Sequence, residues 1–284
     1  CPIAIMTSPL NHDETIAFFE EKNFFSNDKN DKKKISFFTQ KMLPLFNMEG
    51  DLFLEAPGKV AVGPDGNGYL LREFYRSGIW QRWREQGIEY VNVILVDNAL
   101  SDPFDVEMVG VHHRDGNDVT IKCVERCDVE EKVGVIVEGE GGKTAVVEYT
   151  EVSEEERCSR DDDGALRHRC ANIGTFCFSM DFIEKIKDVS LPMHKAYKSA
   201  KVLDESGLTA VWSEKPNSVK FETFIFDVFK YTEAVGAVVC RREECFAPLK
   251  NNYGSVGSLF SVQRMLQYRD REVFEAVAGG AVEA

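Results

Sequence analysis

The run Tyr90-Val91-Asn92-Val93-Ile94-Leu95-Val96-Asp97-Asn98 restricts the fold more than any other stretch of the chain. Six of its nine side chains are apolar or aromatic and four are β-branched, without clean alternation. That is the pattern of a strand covered on both faces, as in a parallel sheet. Such a strand delivers Asp97 to its carboxyl end, and in open α/β sheets ligands sit in the crevice outside those ends. Asp97 is then placed to handle a metal and phosphates. The plainer alternative is an Asx turn that closes the strand.

With 284 residues, 43% of them hydrophobic, the chain can bury a large core as one domain or two. The 48 acidic and 34 basic side chains leave a net charge of -14, which excludes a nucleic-acid backbone as the main partner. No apolar run reaches the length of a membrane span, and residues 2–6 lack the length and basic flanks of a signal peptide. A cytoplasmic protein with no membrane or nucleic-acid partner is expected. The eight cysteines are scattered without a C-x-x-C pair, and together with five histidines they form no zinc pattern. They read as buried, unpaired thiols.

Residues 2–8 form an apolar run that ends in Thr7 and Ser8, a strand opening onto a polar rim. A chain rarely begins inside a buried strand, so residues upstream of Cys1 are expected. Asn11 or Asp13 caps a helix that ends near Asn23. Residues 27–34 read as a charged loop, 35–40 as a strand ending in Gln40, and 51–54 with 59–62 as a short antiparallel pair. In Pro64-Asp65-Gly66-Asn67-Gly68, the glycines allow positive φ and let backbone approach a flat ligand. A hairpin turn gives the same letters. Helices follow over 69–77 and 79–86, the second turning Ile79, Trp80 and Trp83 inward, and strand, loop, helix, strand is the βαβ rhythm of an α/β fold.

Beyond Asp97, Asp102-Pro103 predicts a helix start. Residues 119–127 and 133–137 read as strands, and 139–144 as a connection from the latter to a strand over 145–149. Gly142-Lys143-Thr144 looks like the end of a P-loop, but that motif needs glycine at 137, where valine stands, and a helix afterwards. Ser153 and Glu156 form a capping box, and 160–164 is an exposed acidic turn rather than a calcium loop. A strand over 171–178 leads to a helix capped by Ser179. Phe221, Phe224, Ile225, Val228 and Phe229 fall at helical spacing. They predict an amphipathic helix on which Lys220 and Phe224 share a side while Phe224 and Phe226 do not. A strand over 237–240 precedes Pro248, which stops regular structure and sets Lys250 at the sheet rim, and a last helix covers 256–278.

Candidate polar residues thus stand at separate strand ends and loops: Thr7, Gln40, the 64–68 loop, Asp97, Glu148, Asn172, Lys220 and Lys250. The stretches that carry them are Ile5-Met6-Thr7-Ser8, Phe37-Phe38-Thr39-Gln40, Pro64-Asp65-Gly66-Asn67-Gly68, Val96-Asp97-Asn98, Val133-Gly134-Val135 and Val147-Glu148-Tyr149-Thr150-Glu151. They continue with Asn172-Ile173, Lys220-Phe221-Glu222, Phe224-Ile225-Phe226-Asp227 and Phe246-Ala247-Pro248-Leu249-Lys250-Asn251. In this order the chain resembles the eukaryotic UDP-N-acetylhexosamine pyrophosphorylases.

The resemblance implies a Rossmann-like, GT-A-like nucleotidyltransferase core, an α/β fold whose mixed sheet is flanked by helices. That core would cover residues 1–250, with a short C-terminal helical segment at 251–284. It implies a uridylyltransferase that joins UTP and N-acetylglucosamine 1-phosphate, with Mg²⁺, to give UDP-N-acetylglucosamine and pyrophosphate. By match, Gln40 and the Pro64 and Gly66 backbone read the uracil, with Thr7 beside them, and Asp97 faces the metal and ribose. Gly134, Glu148 and Asn172 match sugar-contacting positions, with Asn67 a further candidate. Phe224 and Phe226 match the walls of the acetyl pocket, and Lys220 and Lys250 the phosphate-side lysines. The family's glycine-rich loop with its catalytic arginine lies upstream of the Thr7 match, so this polypeptide alone is expected to be nearly inactive. Tyr69 stands where the family has a second glycine after Gly68, and Arg169 where it commonly has asparagine. A monomer is expected.

The residue types suit the chemistry on their own terms. An amide offers one donor and one acceptor, which suits the O4 and N3–H edge of uracil. Sugar hydroxyls call for an acceptor such as Glu148 and a mixed group such as Asn172. Attack on the α-phosphorus of UTP asks chiefly for positioning and charge neutralisation. Mg²⁺ is commonly held by one or two carboxylates plus substrate phosphates, which suits a lone Asp97. Two other readings share these residues: a pyrophosphorylase for UDP-glucose or another UDP-sugar, and a non-catalytic nucleotide-sugar-binding fragment.

Overall fold

The computed structural model describes residues 1–26, 28, 31–203, 210–254 and 256–279. Of the charged run at 27–34, Asn27, Lys29 and Asn30 lie outside the described residues, and Lys32, Lys33 and Lys34 sit in a 3₁₀ turn. The chain forms two compact units, one of residues 1–88 and 183–228, the other of 89–182 and 229–284.

The first unit opens with β1 (Ile3–Thr7), α1 (His12–Glu21) and β2 (Ile35–Thr39), and β1 pairs parallel to β2. There follow β3 (Met42–Pro44), β4 (Leu54–Ala56), β5 (Lys59–Val60) and β6 (Val62–Pro64). β4 pairs with β5, the short pair that the sequence predicts there, and β3 pairs antiparallel with β6. Helices α2 (Leu70–Arg76) and α3 (Ile79–Glu85) bury Leu71, Phe74, Ile79, Trp80 and Trp83. The rings of Phe38, Phe74 and Trp83 form a chain, at centroid separations of 6.2 Å and 5.1 Å. Tyr69 does not point at the glycine loop beside it; its hydroxyl accepts from the Leu191 amide at 3.2 Å.

The second unit is built on a six-stranded mixed sheet. Its strands are β7 (Tyr90–Val93), β8 (Val119–Glu125), β9 (Val135–Glu138), β10 (Thr144–Val147) and β11 (Cys170–Ser179), with a sixth arriving later in the chain. Helices α4 (Val106–Asp115) and α5 (Glu154–Cys158) stand among them, and α6 (Met180–Ile186) begins in this unit and ends in the first. β9 and β10 make the hairpin expected in place of a P-loop, and Ser153 with Glu156 closes the capping box of α5.

The chain then returns to the first unit with β12 (His194–Lys198), β13 (Lys201–Leu203), β14 (Ala210–Trp212) and β15 (Ser218–Glu222). It ends in the second unit with β16 (Val235–Cys240), α7 (Arg242–Cys245) and α8 (Leu259–Ala278). β16 lies parallel to β8, and β8 antiparallel to β11.

Several expectations are corrected. The strand over 90–98 is only β7, four residues long, antiparallel to β11 and not part of a parallel ladder. Val96 is 97% exposed. Strands buried on both faces are β8, where Val119, Ile121, Cys123 and Val124 are all fully buried, and its neighbour β11. The helix predicted from Asp102 starts three residues later. Asp102 instead accepts from the Phe104 amide at 2.8 Å, and Asp105 is the cap, accepting from Met108 at 2.9 Å.

The helix predicted from 218 is a strand followed by a 3₁₀ turn over Ile225–Tyr231. There Val219 and Phe221 alternate with Lys220 and Glu222, and period 2 prevails because β12 and Phe46 supply sheet partners. The cysteines are not uniformly buried thiols. Cys240 and Cys245 are disulfide-bonded, Cys1, Cys127 and Cys158 are exposed, and Cys123 and Cys177 are buried and free.

A buried polar cluster ties α4 to the sheet. Ser179 donates to the Asn117 carbonyl at 2.8 Å, so its oxygen accepts from His112 Nε2 at 2.9 Å. His112 Nδ1 must then accept from Thr120 at 2.9 Å, and the ring is neutral. Burial pulls its pKa down from 6.5 to about 4. The unfolded chain takes up a proton that the folded one refuses, so stability is constant above the ordinary histidine pKa and falls as pH drops towards 4. At pH 5 the loss is about 2 kcal/mol. Urea unfolding at pH 7 and pH 5 should show this drop in the wild-type chain and a much smaller one in His112→Gln. An equal drop in the variant would assign the acid sensitivity elsewhere.

Candidate functional site

In the first unit the sequence-predicted residues gather where β2, β6 and β15 end. The Gln40 amide donates to the Thr7 carbonyl at 2.8 Å, and Met42 pairs with Pro64 across β3 and β6. The Thr7 hydroxyl is used inside the unit, 2.7 Å from His12 Nδ1 and 3.2 Å from the Phe38 carbonyl that it donates to. A loop runs from Pro64 to Gly68 and is clamped to Thr223. The Thr223 amide donates to the Asp65 carbonyl at 2.8 Å, and the Gly68 amide to the Thr223 carbonyl at 2.9 Å.

The glycines of this loop serve the clamp. Gly66 has φ +85°, and a Cβ there would overlap the Thr223 carbonyl oxygen. A Cβ on Gly68 would lie 2.5 Å from Thr223 Oγ1. The close approach that sequence assigns to a flat ligand is therefore made to neighbouring backbone. Asn67 accepts from the Ile225 amide at 3.0 Å and so caps the 3₁₀ turn, which leaves its NH₂ as the group able to meet a sugar. Asp65 is buried with one carboxylate oxygen unpartnered, and burial raises its pKa.

Lys220 runs along Gly63, where a Cβ would stand 3.2 Å from its Cε, and it pairs with Glu222 at 2.7 Å. Residues two apart can pair in this way only on a strand. The Phe224 and Phe226 rings stack at 5.0 Å and 19°, side by side where helical spacing puts them on different faces, and Phe226 is buried in the core. His194 packs on Phe224 at 4.8 Å and reaches Asp227 at 3.0 Å.

The second unit brings together two further groups. Asp97 and Lys250 approach to 4.0 Å, and the Leu249 amide donates to the Asp97 carbonyl at 2.8 Å. Gly134, Glu148 and Asn172 converge from three separate segments. The Asn172 amide donates to the Gly134 carbonyl at 2.8 Å, and a Cβ on Gly134 would stand 3.2 Å from Glu148 Oε1 and 3.1 Å from Val146 Cγ1. A larger residue there would have to push both side chains back by a few tenths of an ångström. β11 is bulged between Asn172 and Thr175, and the Asn172 side chain accepts from the Gly174 amide at 3.0 Å.

A cavity of about 470 Å³ at one end of β8 and β11 is lined by Arg126, Arg160 and Arg169 among others, and by none of the sequence-predicted site residues. Arg169 pairs with Asp161 at 2.8 Å and Asp163 at 3.4 Å, outside the Asn172 group. Sequence reasoning gave no role to Thr223, Glu222, His194 or Asn98. Thr223 and Asn98 lie inside or beside quoted motifs, but their contacts reach across more than a hundred residues.

Residues 1–275 match the family described as UTP--glucose-1-phosphate uridylyltransferase. The chain belongs to that family. It is 36% identical over 251 residues to a probable UDP-N-acetylglucosamine pyrophosphorylase of Dictyostelium discoideum, covering 87% of this chain and 51% of the relative. It is likewise 36% identical to UDP-N-acetylhexosamine pyrophosphorylase-like protein 1 of Homo sapiens, over 88% of this chain and 49% of the relative. A crystal structure of a putative UDP-N-acetylglucosamine pyrophosphorylase from Entamoeba histolytica superposes with a TM-score of 0.86 at 30% identity, over 97% of this chain and 67% of that one. The chain spans about half the length of the curated relatives it matches.

The clamp predicts unequal costs for two substitutions at positive φ. Gly58→Ala, with φ +71° and nothing within 4 Å, should cost about 1–2 kcal/mol from backbone strain alone. Gly66→Ala adds the clash with Thr223 and should cost at least about 2 kcal/mol more. Equal urea midpoints for the two variants would remove the clamp.

Proposed function

We propose that the whole protein is a uridylyltransferase that joins UTP and N-acetylglucosamine 1-phosphate into UDP-N-acetylglucosamine and pyrophosphate. The observation that most supports this is the gathering of Glu148 and Asn172 at Gly134, a carboxylate and an amide residue beside one glycine. That is the donor and acceptor set which vicinal sugar hydroxyls require. Asp97 beside Lys250 adds the charge pair expected at a phosphate.

In this reading a phosphate oxygen of the sugar phosphate attacks the α-phosphorus of UTP, forming one P–O bond as the bond to the pyrophosphate leaving group breaks. No carbon bond changes, so the protein's task is alignment and charge neutralisation. Gln40, with the Pro64 and Gly66 backbone, meets the uracil, and Thr7 fixes Gln40 through its carbonyl. In the second unit Gly134, Glu148 and Asn172 hold the sugar; in the first, Asn67 is a further candidate for it, and Phe224 and Phe226 match the walls of the acetyl pocket. Lys220 and Lys250 neutralise phosphate charge.

Among the described residues no group of three or more His, Cys, Asp or Glu side chains could cage a metal ion. One partly exposed carboxylate at Asp97 nevertheless fits Mg²⁺, which is usually bound through one or two carboxylates and the substrate's phosphates. When bound, the ion would supply charge neutralisation on those phosphates. No helix among the described residues is long and apolar enough to cross a membrane. A cytoplasmic monomer, with residues 1–250 as catalytic core and 251–284 as a C-terminal segment, completes the reading.

The test is pyrophosphate release from UTP by a polypeptide that includes the family's upstream glycine-rich loop, offered N-acetylglucosamine, N-acetylgalactosamine or glucose 1-phosphate in turn. An N-acetylated sugar should be preferred. Preference for glucose 1-phosphate would overturn the acetyl wall, and no turnover with any of the three would favour a binding fragment. In the same polypeptide Lys250→Ala should slow turnover by about 100-fold, close to 3 kcal/mol, with uridine affinity little changed. Gln40→Ala should erode discrimination between UTP and CTP. Unchanged discrimination would take Gln40 out of the base site.

A further inference from the structure

We infer that Asn98 is a positioning residue, which holds Asp97 and Lys250 in register by clipping together the two loops that carry them. The inference rests on the phosphate-side roles proposed above for those two residues. Asn98 is 5% exposed, and its side chain is spent entirely on backbone. The amide donates to the Cys245 carbonyl at 2.8 Å, and the side-chain oxygen accepts from the Ala247 amide at 2.8 Å and the Leu100 amide at 3.3 Å. Around it the Ala99 amide donates to the Ala247 carbonyl at 3.3 Å, and the Leu249 amide to the Asp97 carbonyl at 2.8 Å. An isolated bridge pairs Asn98 with Pro248.

Loop 97–100 and loop 245–250 are thus zipped by one buried amide whose donor and acceptor both reach the second loop. Asp97 is the next residue on the first loop, and Lys250 follows two residues after Pro248 on the second. The Leu249–Asp97 and Ala99–Ala247 backbone bonds run beside that amide, and the buried Asn98 side chain is what ties the bridge at Pro248 to Cys245. The contact of Asp97 with Lys250 is a 4.0 Å pair at 34% and 56% side-chain exposure, too wet to set a geometry. Aspartate at 98 would turn the Cys245 contact into a repulsion, since a carboxylate cannot donate. Serine reaches one partner at most.

The test is a double-mutant cycle in the polypeptide that includes the upstream loop. Asn98→Ala should lower kcat on the order of 30-fold, with KM for both substrates moving less than about threefold, as expected when reacting groups are misplaced and not lost. In a Lys250→Ala background the same substitution should cost less than about threefold. Equal costs in the two backgrounds would overturn the inference while leaving the role of Lys250 intact. A Lys250→Ala enzyme with normal turnover would overturn the phosphate-side reading and the inference with it. Should Asn98→Ala fail to fold, Asn98→Ser carries the same cycle. Independently, amide exchange in the unmutated chain should show Ala247 and Leu249 protected, and free exchange at Ala247 would overturn the clip.

Discussion

The bulge in β11 is the constraint on which the second unit turns. Before it, Ala171 pairs with Val135 of β9; after it, residues 176–179 pair with β7, so one edge of the strand serves two partners in succession. The turn is possible because Gly174 takes φ +71°, a region that side chains avoid. The absence of a Cβ also makes a seat for Leu95, which would overlap with one. Leu95 is thereby pulled out of the ladder, β7 stops at Val93, and the chain turns so that Asp97 falls on a loop. On the other side of the bulge the Asn172 amide reaches the carbonyl of Gly134, the glycine beside Glu148. One irregularity thus serves both candidate groups, as bulges near functional sites commonly do.

This explains why the run at 90–98 misleads when read alone. Its apolar residues are genuine, but they are divided between a short ladder and a tertiary contact, and only the partner at position 174 reveals the division. β8 has the same apolar character and does become the buried centre of the sheet. The difference lies in neighbours, since β8 has β11 on one side and β16 on the other, and sequence does not state which strands sit beside which. The 218–229 segment fails for a related reason. Five apolar residues at helical spacing overlap, at Phe221, an alternation that begins at Val219, and β12 with Phe46 decides in favour of the strand.

The α2–α3 pair, the β9–β10 hairpin and the α5 capping box were legible because their signals are local. The membership of the candidate groups was legible through motifs in family order. What each member does inside the fold was not. Gly66 and Gly68 signal close approach, but nothing in the letters says that Thr223 is what approaches. Asn98 looks like the tail of a motif, and its partners lie almost 150 residues away.

Electrostatics give the two lysines different work. A chain of net charge -14 repels a polyanionic substrate, so any phosphate site must be locally positive. Lys220 is held at 2.7 Å by Glu222 with both side chains less than a fifth exposed, so its ammonium is fixed in place and half-neutralised in advance. Lys250 faces Asp97 across 4.0 Å of largely open surface, an interaction worth at most about 1 kcal/mol. In the proposed function a phosphate would draw Lys250 away from Asp97 at little cost, leaving the Asp97 carboxylate able to hold a cation. Lys220 cannot be recruited so cheaply, because moving it strands Glu222 with a desolvated charge. Under that reading Lys250 would be the mobile lysine and Lys220 the fixed one.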